Sequence, residues 1–184
     1  KLYLDDTALS AELETYMTRL CALTEKLALE KDKSMDTEAA DIQGRPCVRI
    51  CREDGSWTGL AFHGVPGGHE FTAFVLGLYN AAGPGQALDE ETFRRVRALP
   101  AAKMQILVSL SCTMCPELVT AAQRIAAENP LVTAEVYDLN HFPRLRERYH
   151  VMSVPCLAVN DGEKVAFGKK DIRQLAELLE QQGE

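Results

Sequence analysis

The sequence predicts an α/β protein in which one order of strands and helices occurs twice around a central mixed sheet, with helices on both faces. Short apolar strands alternate with amphipathic helices along the chain. The turn Gly83-Pro84-Gly85 divides the chain into two stretches of similar length. Each stretch has the order strand, helix, strand, X-Pro strand, turn, strand, helix. Because strand-helix-strand implies a right-handed parallel crossover, each stretch forms a small α/β unit.

The first stretch has a predicted element for each change in hydrophobic periodicity. In chain order these are an apolar strand at 1–4, a helix with Ser10 as its N-cap and Leu13, Met17 and Leu20 on one face, an alternating strand at 27–31, an aperiodic loop at 32–44, strands at 47–51 and 60–63, and a helix at 69–82. The last helix is apolar nearly all round, so we expect it to be largely buried.

The second stretch repeats this pattern after a connector. A short basic helix at 90–99, capped by Asp89 and ended by Pro100, is followed by strand 104–110, helix 112–127, strand 132–138, helix 143–149, strand 156–159, a turn at 161–162, strand 164–167 and a helix capped by Asp171. We therefore expect three parts: a first half at 1–84, a connector at 85–100 and a second half at 101–184.

Composition and charge exclude several classes of function. Hydrophobic residues make up 46% of the 184 residues, enough for a real core, and the net charge is −7. An acidic balance argues against nucleic acid or an anionic membrane as the main partner. No apolar run approaches the roughly 18–20 residues of a membrane span. Six cysteines are too few for a disulfide-scaffold protein, so we expect a reducing, cytoplasmic location.

The pair Cys112-x-x-Cys115 follows an apolar strand and begins a predicted helix. Free N–H groups at a helix start stabilise a thiolate, and the spacing lets the two sulfurs form a small disulfide ring. Pro116 suits a first helical turn, where its missing N–H costs nothing. The pair is therefore suited to reversible two-electron exchange, in which Cys112 attacks a partner and Cys115 resolves the mixed disulfide.

Half of a zinc site and two ordinary buried cysteines are the alternatives for this pair. Zinc needs four ligands, usually supplied by a second close pair, and none follows at the usual spacing. Cys47 and Cys51 lie four residues apart on a predicted strand, a separation of about 13 Å at ~3.3 Å per residue. His63 and His69 have no third ligand in view. We therefore favour redox chemistry and predict neither a bound metal nor a bound cofactor in this chain.

Four stretches make the chain resemble the N-terminal domain of bacterial alkyl hydroperoxide reductase flavoproteins, which carries two tandem thioredoxin-like folds in one compact unit. They are Gly68-His69-Glu70-Phe71-Thr72, Ser109-Leu110-Ser111-Cys112-Thr113-Met114-Cys115-Pro116, Asn129-Pro130 and Val151-Met152-Ser153-Val154-Pro155. The similarity spans nearly the whole chain and is weakest over the first 60 residues. The resemblance implies a first half that keeps the fold without a CxxC pair.

The resemblance also implies a function and further site residues. The domain would pass electrons from a thioredoxin-reductase-like flavoprotein module to the disulfide of a peroxiredoxin-type partner. FAD and NAD(P)H would belong to an attached or separate module, since no G-x-G-x-x-G motif occurs here. A cis Pro155 would lie against the disulfide. Glu70 would manage the proton at the second sulfur, because the strand before Cys112 carries no carboxylate; its alternative role is to offset the dipole of its own helix.

Two other functions stay open at this point. One is a general protein disulfide reductase with a different acceptor, and the other is a docking module in which the CxxC pair is incidental. The remaining cysteines, Cys21, Cys47, Cys51 and Cys156, are outside the recognised motif, and small buried strand residues are their simplest interpretation. Cys156 follows Pro155, so we expect it to be the one that could approach the CxxC pair.

Overall fold

The computed structural model describes residues 1–32 and 44–181, which form seven strands and six helices. In chain order the elements are β1 (Leu2–Tyr3), α1 (Ala8–Cys21), β2 (Cys47–Cys51), β3 (Trp57–His63), α2 (Glu70–Ala82), α3 (Glu90–Ala98), β4 (Ala102–Val108), α4 (Cys115–Glu128), β5 (Val132–Asp138), α5 (Pro143–Arg148), β6 (Cys156–Val159), β7 (Lys164–Phe167) and α6 (Ile172–Glu180). A short 3₁₀ turn, Asn160–Gly162, separates β6 from β7.

All seven strands belong to one sheet in the order β1-β2-β3-β5-β4-β6-β7. In the second half β4 pairs with β5 in parallel and with β6 antiparallel, and β7 closes the antiparallel hairpin. In the first half β1 pairs with β2 and β2 pairs with β3, both antiparallel. These three strands correspond to β4, β6 and β7 of the second half. The predicted fold class is confirmed: the two halves repeat one topology and join through the parallel pair β3–β5. The part boundaries at residues 84 and 101 stay a prediction, and α3 lies between them.

Three local predictions for the first half need correction or lie outside the described residues. The strand expected at 27–31 is reduced to a single parallel bridge between Leu2 and Lys31, because β1 is only two residues long. The N-cap of α1 is Thr7, whose hydroxyl accepts a hydrogen bond from the Ser10 backbone N–H, whereas the Ser10 side chain is buried. Most of the loop expected at 32–44 falls outside the described residues.

The core lies mainly on one face of the sheet, under α1, α2, α4 and α6. Successive side chains of β4 point to opposite faces of the sheet. Ile106 and Val108 face this main core, whereas Leu107 belongs to a smaller cluster on the other side. The smaller cluster includes Phe142 and Tyr149, which flank α5. In the part of the chain that the structure describes, no helix is long and apolar enough to cross a membrane.

The helix α2 packs closely along α4. A Cβ on Gly77 of α2 would lie 2.6 Å from the Gln123 side-chain oxygen of α4, so a larger residue there would require the Gln123 side chain to move. The expectation that α2 is largely buried is wrong for one side. Phe71, Val75 and Tyr79 repeat every four residues and are 37–48% exposed, because α4 covers only the opposite side of the helix.

A buried polar contact ties the two halves where β3 meets β5. His63 is 1% exposed, and its Nε2 lies 2.9 Å from a carboxylate oxygen of Glu135 while its Nδ1 lies 2.6 Å from the Gly44 carbonyl oxygen. Its ring stacks on Tyr137 at 3.8 Å between centroids. Both ring nitrogens of His63 face oxygen acceptors, and only a protonated ring can donate a hydrogen bond from each nitrogen. His63 is therefore an imidazolium paired with the Glu135 carboxylate.

This pair makes the stability of the protein depend on pH. Burial alone would lower the pKa of His63, but contacts with Cys47 and Glu135 outweigh burial and raise the pKa from 6.5 to about 9. Stabilisation by protonated His63 is therefore fully present below pH 6.5 and is lost as the pH rises through about 9. We expect His63→Gln to lower the free energy of unfolding by about 2 kcal/mol at pH 6.5 and by far less at pH 10.

Urea unfolding at both pH values measures this difference, and His141→Gln is the matched control. The His141 side chain is 43% exposed and lies 3.9 Å from Asp138, so this variant should change the free energy of unfolding little at either pH. An equal loss of stability at both pH values in His63→Gln would show that His63 contributes through packing alone.

Candidate functional site

The two cysteines of the CxxC pair form a disulfide at the carboxyl end of β4, with their Cα atoms 5.6 Å apart. Cys115 is fully buried, whereas Cys112 is partly exposed. The helix α4 begins at Cys115 rather than at Cys112, where the sequence predicts its start. Cys112 lies in the preceding turn, where its backbone N–H donates to the Ser109 carbonyl at 2.9 Å. A partner can therefore approach the sulfur of Cys112 but not that of Cys115.

The start of α4 is electrostatically suited to a thiolate. Its N-cap, Met114, makes no side-chain capping hydrogen bond, and Pro116 occupies the first turn. The free N–H groups of this turn place positive potential beside the disulfide. The one acidic side chain of the turn, Glu117, points to Lys169, whose Nζ lies 3.1 Å from its carboxylate. Both features stabilise a thiolate beside this turn when the disulfide opens.

A proline loop lies against the exposed cysteine. The Val154–Pro155 peptide bond is cis, as the resemblance implies, and the Val154 carbonyl oxygen is 3.9 Å from the Cys112 sulfur. Pro155 is buried, and its carbonyl accepts a hydrogen bond of 2.9 Å from the Gly168 N–H. The structure therefore brings Cys112, Cys115 and Pro155 together in one site.

Glu70 opens α2, beside the loop that carries Cys112. The backbone N–H of His69 donates to the Leu110 carbonyl at 3.1 Å. A Cβ on Gly68, whose φ is +56°, would lie 2.6 Å from that carbonyl oxygen. Glycine is thus required at position 68 both for its backbone conformation and for this approach. The contact fixes the first turn of α2 next to the loop before Cys112.

The carboxyl group of Glu70 is buried without a hydrogen-bond partner. Its side chain is 0% exposed, and neither carboxyl oxygen has a partner within the described residues. Burial raises the pKa of Glu70 from 4.5 to about 8, so the group is mostly protonated at neutral pH and can both give and take a proton near it. Offsetting the helix dipole needs a charged carboxylate, so burial disfavours that alternative, and the proton role of Glu70 stays a prediction.

Cys156 does not belong to this site. It faces the smaller cluster on the side of the sheet opposite α4, whereas Cys115 and the next residue, Leu157, belong to the main core. The expectation that Cys156 could approach the CxxC pair is therefore wrong, because strand alternation turns its side chain away. Burial raises the pKa of its thiol to about 11. Cys21, Cys47 and Cys51 are also free thiols.

No metal centre accompanies the disulfide in the described ranges, where no three His, Cys, Asp or Glu side chains are grouped so as to hold a metal ion. Sequence reasoning missed the pair of His63 with Glu135 and the exposure of Met114 and Met152, which are 49% and 82% exposed. Neither feature has a local sequence signal, because each depends on how distant strands and loops pack.

Comparison with known proteins identifies the family. A thioredoxin domain model matches residues 102–180. The chain is 31% identical to the alkyl hydroperoxide reductase AhpF of Pseudomonas aeruginosa over 94% of its own length and 32% of that protein. Two solved structures of Enterococcus faecalis AhpF, one of them its NTD_N/C domain, are 37% and 38% identical, with TM-scores of 0.91 and 0.90.

The matches cover a small share of the curated relatives but most of the solved structures. The chain spans about a third of the length of the curated relatives it matches. In contrast, each Enterococcus match covers 97% of this chain and 88% of the solved chain. The protein therefore belongs to the AhpF family of alkyl hydroperoxide reductases and corresponds to its amino-terminal region of two thioredoxin-like folds.

Proposed function

We propose that the chain is a dithiol–disulfide oxidoreductase that relays electrons from a thioredoxin-reductase-like flavoprotein module to the disulfide of a peroxiredoxin-type partner in the cytoplasm. The observation that carries the proposal is the unequal exposure of the cysteine pair: Cys112 is accessible beside the start of α4, and Cys115 is buried behind it. A relay needs one sulfur that a partner reaches and a second sulfur that closes the cycle. The names of the relatives support a peroxide-reducing pathway.

The relay consists of two balanced exchanges. In the first, a donor thiolate attacks the Cys112 sulfur, the Cys112–Cys115 bond breaks, and Cys115 leaves as a thiolate that takes a proton. The second donor thiol then displaces Cys112, leaving an oxidised donor and a reduced pair. In the second exchange, the Cys112 thiolate attacks the acceptor disulfide. Cys115 loses its proton, attacks Cys112 and releases the acceptor as a dithiol.

Glu70 supplies the proton step at Cys115 in this proposal. Protonated Glu70 would give its proton to the Cys115 thiolate when the disulfide opens, and the carboxylate would take a proton from the thiol when the disulfide closes again. Because burial raises the pKa of Glu70 to about 8, the group can serve as both the acid and the base near neutral pH. The first half would then contribute a catalytic group without a CxxC pair of its own.

FAD and NAD(P)H belong to the donor module in this relay. The sequence has no G-x-G-x-x-G motif, which a dinucleotide site of the common kind would require after a strand. When bound to that module, the two cofactors supply the electron pair that reduces its disulfide. The residues of this chain act only on sulfur and on the accompanying proton.

Reconstitution tests the relay. We expect NAD(P)H oxidation to require three components together: a thioredoxin-reductase-like flavoprotein, this chain, and an oxidised peroxiredoxin supplied with peroxide. Replacing the peroxiredoxin with insulin distinguishes the general reductase, which would consume NAD(P)H with either acceptor. A docking module would instead support the same binding and the same rate after both cysteines of the pair are changed to Ser, and that result would contradict the proposal.

A further inference from the structure

The two loops that meet at the disulfide each expose a methionine. The carbonyl oxygen of Val154 lies 3.9 Å from the Cys112 sulfur. Met114 follows Cys112 by two residues, and Met152 precedes Val154 by two. Two residues span at most about 7 Å of chain, so both methionines lie in the neighbourhood of this contact between the two loops.

The packing of both loops turns these methionines outward. In the proline loop, Tyr149 and Val151 are buried, and the Val151 N–H donates to the Arg146 carbonyl at 2.9 Å. Met152, the next residue, is 82% exposed. In the CxxC loop the neighbour of Met114, Cys115, is fully buried, and Met114 itself is 49% exposed. Only seven large hydrophobic side chains in the described residues are exposed, so two of them beside one sulfur form a marked apolar feature.

The two stretches of chain that meet at Cys112 contain no charged side chain, and the next one along the chain, Glu117, is paired with Lys169. Neither 109–115 nor 151–155 contains an acidic or basic residue, although the whole chain is 26% charged. A segment with a charged residue beside its cysteine would lose solvation here and find no counter-charge within these two stretches. A segment with an apolar residue would bury surface against the two methionines.

We infer that Met114 and Met152 form an apolar contact that selects acceptors with an apolar residue next to the reactive cysteine. The occupant is an extended segment of the partner that carries the disulfide, so the inference rests on the proposed function and specifies which acceptors it takes. Methionine suits this role because its unbranched, polarizable side chain adapts to apolar residues of different shape. The contact acts by positioning the acceptor disulfide over the Cys112 sulfur.

Two synthetic peptides test the inference. Both carry the same disulfide, and the residue next to the attacked cysteine is Leu in one and Gln in the other. The chain, reduced with dithiothreitol and freed of it, reduces one peptide disulfide per molecule as its own dithiol is oxidised, and the second-order rate constant should be about ten-fold higher for the Leu peptide than for the Gln peptide. The double variant Met114→Gln, Met152→Gln should lower this ratio to about two-fold or less. Because both peptides react with the same variant, a general change in the reactivity of Cys112 cancels in the ratio of their rates.

Leu131→Gln is the matched control. Leu131 is 60% exposed but precedes β5 at the end of the sheet opposite the disulfide, so this variant should keep the ten-fold preference. Equal second-order rate constants for the two peptides, or an unchanged preference in the double variant, would overturn the inference while leaving the relay intact. A reduced chain that converts neither peptide would also overturn the inference, whereas the proposed relay fails only if the reconstitution with flavoprotein and peroxiredoxin shows no electron transfer.

Discussion

Cys112→Ser is expected to abolish disulfide exchange, with a loss of about 10³-fold or more in rate, whereas Cys115→Ser is expected to stop the reaction at a mixed disulfide. Cys112 is the sulfur that a partner can reach, so its loss removes the attacking group. Cys115 is fully buried, so it acts only within the chain, and without it Cys112 stays bonded to the acceptor. Mass spectrometry after mixing each variant with an oxidised protein measures the adduct.

Cys51→Ser is the control for these two variants. Cys51 is a free and partly exposed thiol at the end of β2, and its replacement should leave both the rate and the adduct pattern unchanged. If Cys115 were the attacking sulfur, the Cys112→Ser variant would form an adduct on Cys115. The yield of that adduct would equal the yield on Cys112 in the Cys115→Ser variant. Such a result would show that the buried sulfur is reached first.

Glu70→Gln is expected to slow opening of the disulfide by about 10²-fold and to remove the inflection near pH 8 from the pH–rate profile. The amide has nearly the same shape as the protonated carboxyl group, so the fold should remain, but it neither donates the carboxyl proton nor takes one from Cys115. Stopped-flow measurement of reduction by dithiothreitol between pH 6 and 10 checks the profile. Glu90→Gln is the matched control, because Glu90 lies in the first turn of another helix, α3, and is 85% exposed.

The same variant should become more stable than the parent above neutral pH. Burial raises the pKa of Glu70 from 4.5 to about 8, so the folded protein holds a proton that the unfolded chain has lost. Stability therefore falls as the pH rises from 4.5 towards 8. Glu70→Gln removes this loss. An unchanged rate profile together with a changed stability profile would mean that Glu70 is buried but takes no part in exchange.

The fold was predictable because its signals are local. Apolar alternation and the break at Gly83-Pro84-Gly85 are visible in short windows, and together they imply a repeated α/β unit. Cys112 and Cys115 were candidates for the same reason, since their spacing and position after a strand are sequence features. Predictions failed where tertiary packing decides: the strand expected at 27–31 has too short a partner in β1 to form a ladder.

The rest of the site depends on contacts between the halves. The sequence places Glu70 at a helix start, where a solvated carboxylate is the ordinary outcome. It is buried where the turn before α2 contacts the Leu110 carbonyl through Gly68 and His69. The side to which Cys156 points depends on the register of β6 with β4. None of these contacts can be derived from a local pattern.

Joining the two halves through β3 and β5 also protects the protein from aggregation. Each of these strands has seven residues, and separate halves would each present one of them as a long, apolar edge open to pairing with other chains. In the continuous sheet both are interior. The outermost strands that remain are β1 and β7, of two and four residues, which are too short to template much intermolecular pairing. The first half, which has no CxxC pair, thus covers the edge of β5. Without this cover, the second half with its redox-active disulfide would be prone to self-association.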